Sequence, residues 1–235
     1  MNDPEINELL AKAALDPPKV DPALLERVAD SIAPSLKPVR PLPPKWVLTG
    51  GLVLICASVA GAGAARAGFG GVEALTPLER VLIFATLATL VLAASQKLVG
   101  EAIPGSPQRL TPSALVSVSC ALLIGVFLLL FRDYRTEHFV SAGLVCLATG
   151  VLHAIPIGLL GWLLLRRAYA VNPVAAGLVG GILAGLGGVT MLELHCTNFQ
   201  ALHVLIWHTA VVPVSGLAGA LAGWAVSRRR ARAPR

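Results

Sequence analysis

Charge is what this chain lacks most. Asp, Glu, Lys and Arg make up 14% of its 235 residues, against roughly 25% in ordinary soluble domains. So little charge excludes a conventional solvated surface. Catalytic signatures are missing as well: there is no glycine-rich phosphate loop, no nucleophile elbow, no His-Glu-x-x-His zinc motif and no paired carboxylates. An enzyme is therefore not expected. Nor do the four cysteines include a Cys-x-x-Cys pair, the arrangement that tunes one thiol for disulfide exchange.

What fills the chain instead is apolar length. Six stretches, at about 46–66, 80–96, 112–131, 140–165, 174–193 and 202–226, are long enough to cross a bilayer, the second only just. About 20 apolar residues span ~30 Å of hydrocarbon as a helix, which alone leaves no backbone polar group unpaired in lipid. The expected fold class is all-α, a polytopic bundle of six transmembrane helices with a short cytosolic helical extension at the N-terminus.

Basic residues set the orientation, because short loops rich in Lys and Arg stay in the cytoplasm. With both termini inside, only Arg66, Arg80, Arg132 and Arg135 fall outside. The stretch beginning at Trp46 is preceded by 45 residues and lacks the layout of a cleavable signal, so it reads as a permanent first span. A multi-pass protein of the bacterial cytoplasmic (inner) membrane is expected. The net charge of +6 sits in short loops and a tail beside the spans, which points to anionic lipid rather than direct contact with nucleic acid.

Three regions follow: residues 1–45 as a cytosolic partner-binding segment and linker, 46–227 as the six-helix domain, and 228–235 as a basic tail. In the first, Asp3-Pro4 and Asp21-Pro22 each place an N-capping carboxylate before a proline at the first helical position. Two short amphipathic helices are predicted, one presenting Ile6, Leu9 and Leu10, the other Leu24, Leu25, Val28 and Ile32, with Pro34 as its stop. Such helices are marginal alone and need a partner surface. Seven acidic against three basic residues between Met1 and Ser35 favour a basic protein. The run Pro38 to Pro44 is a semi-rigid polyproline spacer.

Small residues recur every fourth position at Gly177, Gly181 and Gly185 and at Ser215, Gly219 and Gly223. That spacing lets helix backbones approach closely in lipid, as a tight bundle and a candidate homodimer face. Pro104-Gly105-Ser106-Pro107 reads as a turn returning span two as span three.

Few residues are left to carry chemistry. Cys56 and Cys120 lie mid-span and read as small buried hydrophobes. Cys146, about two turns below the outer end of span four, and Cys196, in the loop after span five, share the oxidising side of the membrane. A dithiol is one use for them. Another is a soft or borderline divalent metal as signal, with His195 as a third ligand and His138, His203 or His208 as a fourth; inert thiols remain the bland alternative. His153 and His208 inside spans read as neutral histidines bonded to neighbouring helices, and Glu193 as an interface residue at the membrane surface.

The Pro-rich entry Pro38 to Trp46, the Ile103-Pro104-Gly105 turn, Cys146 followed by Pro156-Ile157-Gly158-Leu159-Leu160 and Arg166-Arg167, and above all Leu194-His195-Cys196 leading into His203-Val204-Leu205-Ile206-Trp207-His208 together resemble the NrsF family. The resemblance implies a six-span membrane-bound anti-sigma factor. In that family a cytosolic N-terminal segment holds an extracytoplasmic-function sigma factor, and a pair of periplasmic-side cysteines is tied to release under metal or oxidative stress; Cys146 and Cys196 match that pair. Residues 1–37 depart from the family's pattern. Two other classes stay in view. A small inner-membrane permease or channel would use six spans and intramembrane histidines, but no acidic residue lies mid-membrane and no repeat relates the halves. A membrane thiol-disulfide protein would need the tuned cysteine pair that is missing.

Overall fold

The structure is a computed structural model in which residues 8, 11–12, 21–35, 41–106 and 110–232 are described. Among them every regular element is helical. The chain divides into two compact units, residues 1–41 and 42–235.

The first unit contains helix α1, Pro22–Ile32. Asp21 caps it, its carboxylate accepting from Ala23 N at 3.0 Å with Pro22 in the first turn, and a short 3-10 turn, Ala33–Ser35, carries Pro34 past its end. Leu24, Leu25, Val28 and Ile32 are all exposed, on the apolar stripe read from the sequence. The helix expected around Ile6, Leu9 and Leu10 lies outside the described residues.

The second unit holds six helices long and apolar enough to cross a membrane: α2 (Lys45–Ala67), α4 (Pro77–Ala102), α5 (Pro112–Leu130), α6 (Phe139–Leu165), α7 (Pro173–His195) and α8 (Ala201–Arg232), with the short helix α3 (Gly70–Ala74) between α2 and α4. Prolines start α4, α5 and α7, each after a capping side chain, Thr76, Thr111 and Asn172, so the sequence marks these boundaries with local chemistry.

One boundary differs from expectation. The second span is not marginal: Thr76 and Glu79 form a reciprocal capping box that starts α4 at Pro77, and Lys97 and Glu101, paired at 2.6 Å and nearly buried, carry it to Ala102. A window of hydropathy stops at these charges, whereas an i,i+4 ion pair lets the helix continue through them. The turn after it holds, with Gly105 at φ 75° and Ser106 N donating to Ile103 O at 3.3 Å.

Helix α7 is the axis of the bundle, packing on α2, α4, α6 and α8. From Val179 to Glu193 all but Gly180 and Thr190 are buried. The glycines explain how. A Cβ at Gly177 would run into the carbonyl of Gly219, one at Gly181 into that of Ser215, and one at Gly185 would stand 2.9 Å from that of Val211. Both small-residue stripes are thus spent against each other inside one chain, between α7 and α8, and not on a homodimer face.

Consecutive spans alternate in direction. At one end lie Lys45, Arg166, Arg167 and the arginines after Trp224, with Lys45 Nζ bonded to Ser106 Oγ at 2.9 Å and Arg230 donating to Ala170 O at 3.0 Å. The opposite end gathers the loops after α2, α5 and α7, joined by Ala201 N donating to Asp133 O at 2.6 Å and by His195 Nδ1 with Gly68 O at 3.2 Å.

Candidate functional site

That second end holds a buried cluster built from α6, α7 and α8. Helix α7 stops where Cys196 N bonds back to Leu192 O at 2.7 Å, after which Cys196 itself is extended. Its thiol turns toward α6, where Cys146 sits two turns from the helix start, and the sulfurs meet at 3.6 Å as free thiols. Cys196 is buried and Cys146 half-buried.

Helix α8 supplies the other wall through an irregularity. Between its first turn, Ala201–His203, and the long α-helix Thr209–Arg232 lies a π-helical turn, Val204–His208. Residues five apart on an α-helix point about 140° away from each other, but i→i+5 bonding stacks them. His203 and His208 accordingly face the same way, their rings 5.3 Å apart and edge-on. His203 Nε2 lies 3.8 Å from Cys196 Sγ. His208 Nδ1 donates to Glu193 Oε1 at 2.6 Å, with both side chains fully buried.

Glu193 corrects the sequence reading. Expected at the membrane surface, it is 0% exposed and anchors His208 from α7. Its position two residues inside the helix end looks peripheral only while the loop beyond is imagined as open. In fact α3 closes that loop: Gly71 presses on the backbone, so that a Cβ there would stand 2.7 Å from Glu193 O and 2.8 Å from Cys196 O. At the same end of the bundle Phe131 stacks on Phe199 at 5.3 Å and Phe139 tilts against Trp207 at 5.5 Å.

The remaining candidates separate cleanly. His195 bonds to Gly68 O and lines a cavity of about 440 Å³ beside the thiols, together with Val145, Thr149 and Asn198. It does not join the four donors that converge, which are Cys146, Cys196, His203 and His208, with one ligand atom from each within 4.8 Å of the others. His138 heads α6 in a left-handed conformation, φ 54°, also apart from them. His153 is satisfied by Thr149 O at 2.8 Å on its own helix rather than by a neighbouring one. Cys56 is buried with its thiol toward Leu183 O at 3.9 Å, and Cys120 is half-buried on α5.

Several polar atoms in the cluster are buried without a hydrogen-bond partner: Glu193 Oε2, His203 Nδ1 and His208 Nε2. Buried polar groups are normally satisfied, and an exception calls for an ion, a water or a functional reason.

Sequence comparison bears on what such a site belongs to. The chain matches the NrsF family, described as negative regulator of sigma F, over residues 32–228, a range that contains five spans whole, the sixth as far as Arg228 and every residue of the cluster but leaves nearly all of α1 outside. No curated protein and no solved structure matches it. With the family's pattern running from the end of α1 to the basic tail, the chain belongs to the NrsF family of negative regulators of sigma F, which are anti-sigma factors rather than enzymes.

Proposed function

We propose that this membrane-embedded anti-sigma factor holds an extracytoplasmic-function sigma factor through its N-terminal segment and releases it when a metal or oxidative signal reaches Cys146 and Cys196 from the periplasmic side. The observation that carries the reading is the contact of the two thiols at 3.6 Å, bridging α6 to the end of α7, at the end of the bundle opposite its basic loops. The preference of short basic loops for the cytoplasm supports an oxidising side for the thiols and a cytosolic N-terminal segment.

Helix α1 supports the other half. Leu24, Leu25 and Val28 form an exposed apolar stripe on a segment richer in acid than base, the form of an amphipathic helix that lies in a groove of a basic partner. Covering that groove would deny it to RNA polymerase. Because α1 lies almost wholly outside the family match, it is also where partner choice can vary while the sensor stays constant.

Transmission must work through two bundle arrangements that differ in affinity for the sigma factor. Signal capture at the thiols draws α6 and α7 together at one end, and α7 touches α2, α4, α6 and α8 along its length, so a small rotation of this axis reaches the other end of every neighbouring span.

The test uses full-length protein in its membrane. Replacing Leu24, Leu25 and Val28 together by Glu should cut co-purification of the cognate sigma factor at least tenfold and leave a sigma-dependent reporter constantly on. Cys146→Ser with Cys196→Ser should keep the sigma factor bound and the reporter off under cadmium or peroxide. A double-serine protein that still releases on stress would sink the reading.

A further inference from the structure

We infer that Cys146, Cys196, His203 and His208 together hold one tetrahedral divalent cation of the zinc and cadmium class, with Glu193 as the residue that positions His208. The inference rests on the thiol pair being the sensory input, and it deepens that reading by choosing a ligand over an oxidant and by naming the rest of its shell.

Three observations carry it. First, four donors from three helices converge, one ligand atom from each within 4.8 Å of the rest. A tetrahedral ion with Zn–S near 2.3 Å and Zn–N near 2.05 Å has ligand atoms roughly 3.4–3.8 Å apart. The sulfurs already stand at 3.6 Å, and Cys196 Sγ at 3.8 Å from His203 Nε2. An ion need only draw the longest edges in.

Second, one of the unpaired atoms, His208 Nε2, is one a metal would use. His208 commits Nδ1 to Glu193 at 2.6 Å and leaves a fully buried Nε2 with no partner. A carboxylate on one ring nitrogen, fixing the tautomer and the direction of the other, is how ligating histidines are held. The π-helical turn that stacks His203 and His208 has no other evident use, and such turns concentrate at functional sites.

Third, oxidation uses too little of the cluster. A disulfide between Cys146 and Cys196 would consume the two sulfurs and leave His203, His208 and Glu193 buried for no chemical reason. Binding a divalent ion uses all five. Each ion bound releases the two thiol protons to solvent, and the two thiolates so formed cancel the ion's charge, which suits a site this deeply buried. Two sulfurs and two imidazoles at tetrahedral spacing favour zinc or cadmium over magnesium, calcium or manganese, which prefer oxygen. The cavity beside Cys146 and Cys196 provides the approach.

The experiment takes the full-length protein in nanodiscs, reduced and stripped by chelator, and titrates it with cobalt as an optical probe. Expected are one equivalent bound, the intense visible bands of tetrahedral cobalt with thiolate charge transfer, and displacement of cobalt by zinc or cadmium. Cys146→Ser or Cys196→Ser should lower the charge-transfer intensity, and His203→Gln or His208→Gln should alter the tetrahedral bands. Glu193→Gln should keep the spectrum while weakening affinity about 10- to 100-fold. Cadmium NMR on the unaltered protein, which needs no variant to fold, should give a shift in the range of two sulfur and two nitrogen ligands.

No binding, an octahedral cobalt spectrum, or bands unchanged by both histidine variants would overturn the inference. If the double-serine protein ignores stress in cells while the purified protein binds no ion, the sensory reading stands and the metal site falls. If the ion binds as described while the double-serine protein still releases its sigma factor, the site stands and the sensory reading falls.

Discussion

The contact between α7 and α8 has two halves built on opposite principles. In one, from Gly177 to Gly185, backbone meets backbone: a side chain at Gly177 or Gly181 would collide with the carbonyls of Gly219 and Ser215. In the other, beyond Val189, Glu193 and Cys196 face His203 and His208 with polar atoms left unpaired. The glycine half has a single way to pack, because only contact distance holds it. The polar half has at least two, since hydrogen bonds and ligands can be exchanged without unfolding. The difference teaches where such a bundle can store a signal: on the function proposed above, motion belongs at the incompletely satisfied end, with the glycine stretch as its fulcrum.

Breaking the polar half outright should have the largest effect. Glu193→Ala leaves His208 buried beside a cavity with its partner removed, and losing one member of a buried pair costs about 3–5 kcal/mol. Thermal unfolding of the purified protein should show it as a large drop in midpoint. The glycine half should break next. Gly181→Val drives two methyl groups and a Cβ into the Ser215 carbonyl, and overpacking of this kind costs about 1–3 kcal/mol. The two should also differ in kind: Glu193→Ala should abolish regulation in whatever protein survives, whereas Gly181→Val should lower abundance in proportion to lost stability, read by membrane immunoblot against reporter output.

The same contrast explains what the sequence made legible. Six spans and the small-residue stripes are periodic features, so apolar length and the glycines at every fourth position announced them, whereas the capping pairs Thr76-Pro77, Thr111-Pro112 and Asn172-Pro173 emerge as helix starts only in the structure. Helix α1 was readable from Asp21-Pro22 and its apolar stripe. The site was legible only in part. Cys146 and Cys196 were singled out because thiols are scarce and topology put them on one side, but their partners depend on helix rotation. The placement of His203 with His208 turns on a π-helical turn that no spacing rule reveals, since an α-helical reading sends them about 140° apart. Glu193 was misplaced because hydropathy sees a charge at a helix end as an exit from the membrane. Its burial follows from Gly71 and α3 folding over the loop, a tertiary fact.

Smaller effects sharpen the comparison at the rim of the polar half. Gly71→Ala adds a methyl 2.7 Å from Glu193 O and 2.8 Å from Cys196 O, so the loop must give by several tenths of an ångström. Stability should fall by about 1–3 kcal/mol, because the atoms met are backbone, and the site should loosen with it. The measurement is thiol alkylation, which should become faster at Cys196 than in the parent. Equal rates would mean that α3 does not seal the site.

The smallest effect is expected at Asp133, whose exposed carboxylate accepts from Arg135 at 2.8 Å while its backbone carbonyl holds Ala201 at the head of α8. The hydrogen bonds from Arg135 lower the carboxyl's pKa below the ordinary aspartate value. A group whose pKa is lower when folded adds stability that is complete above its unfolded pKa, near 3.9, and is lost as pH falls through the lower folded value. Asp133→Asn should remove that component, so the unfolding midpoint falls slightly at neutral pH and the difference from the parent disappears in acid. The sign matters more than the size. Should the substitution depress the midpoint at pH 7 as strongly as Gly71→Ala does, the side chain and not the backbone carbonyl is what secures the start of α8, and the rim contributes to the site's rigidity as much as the loop beneath it.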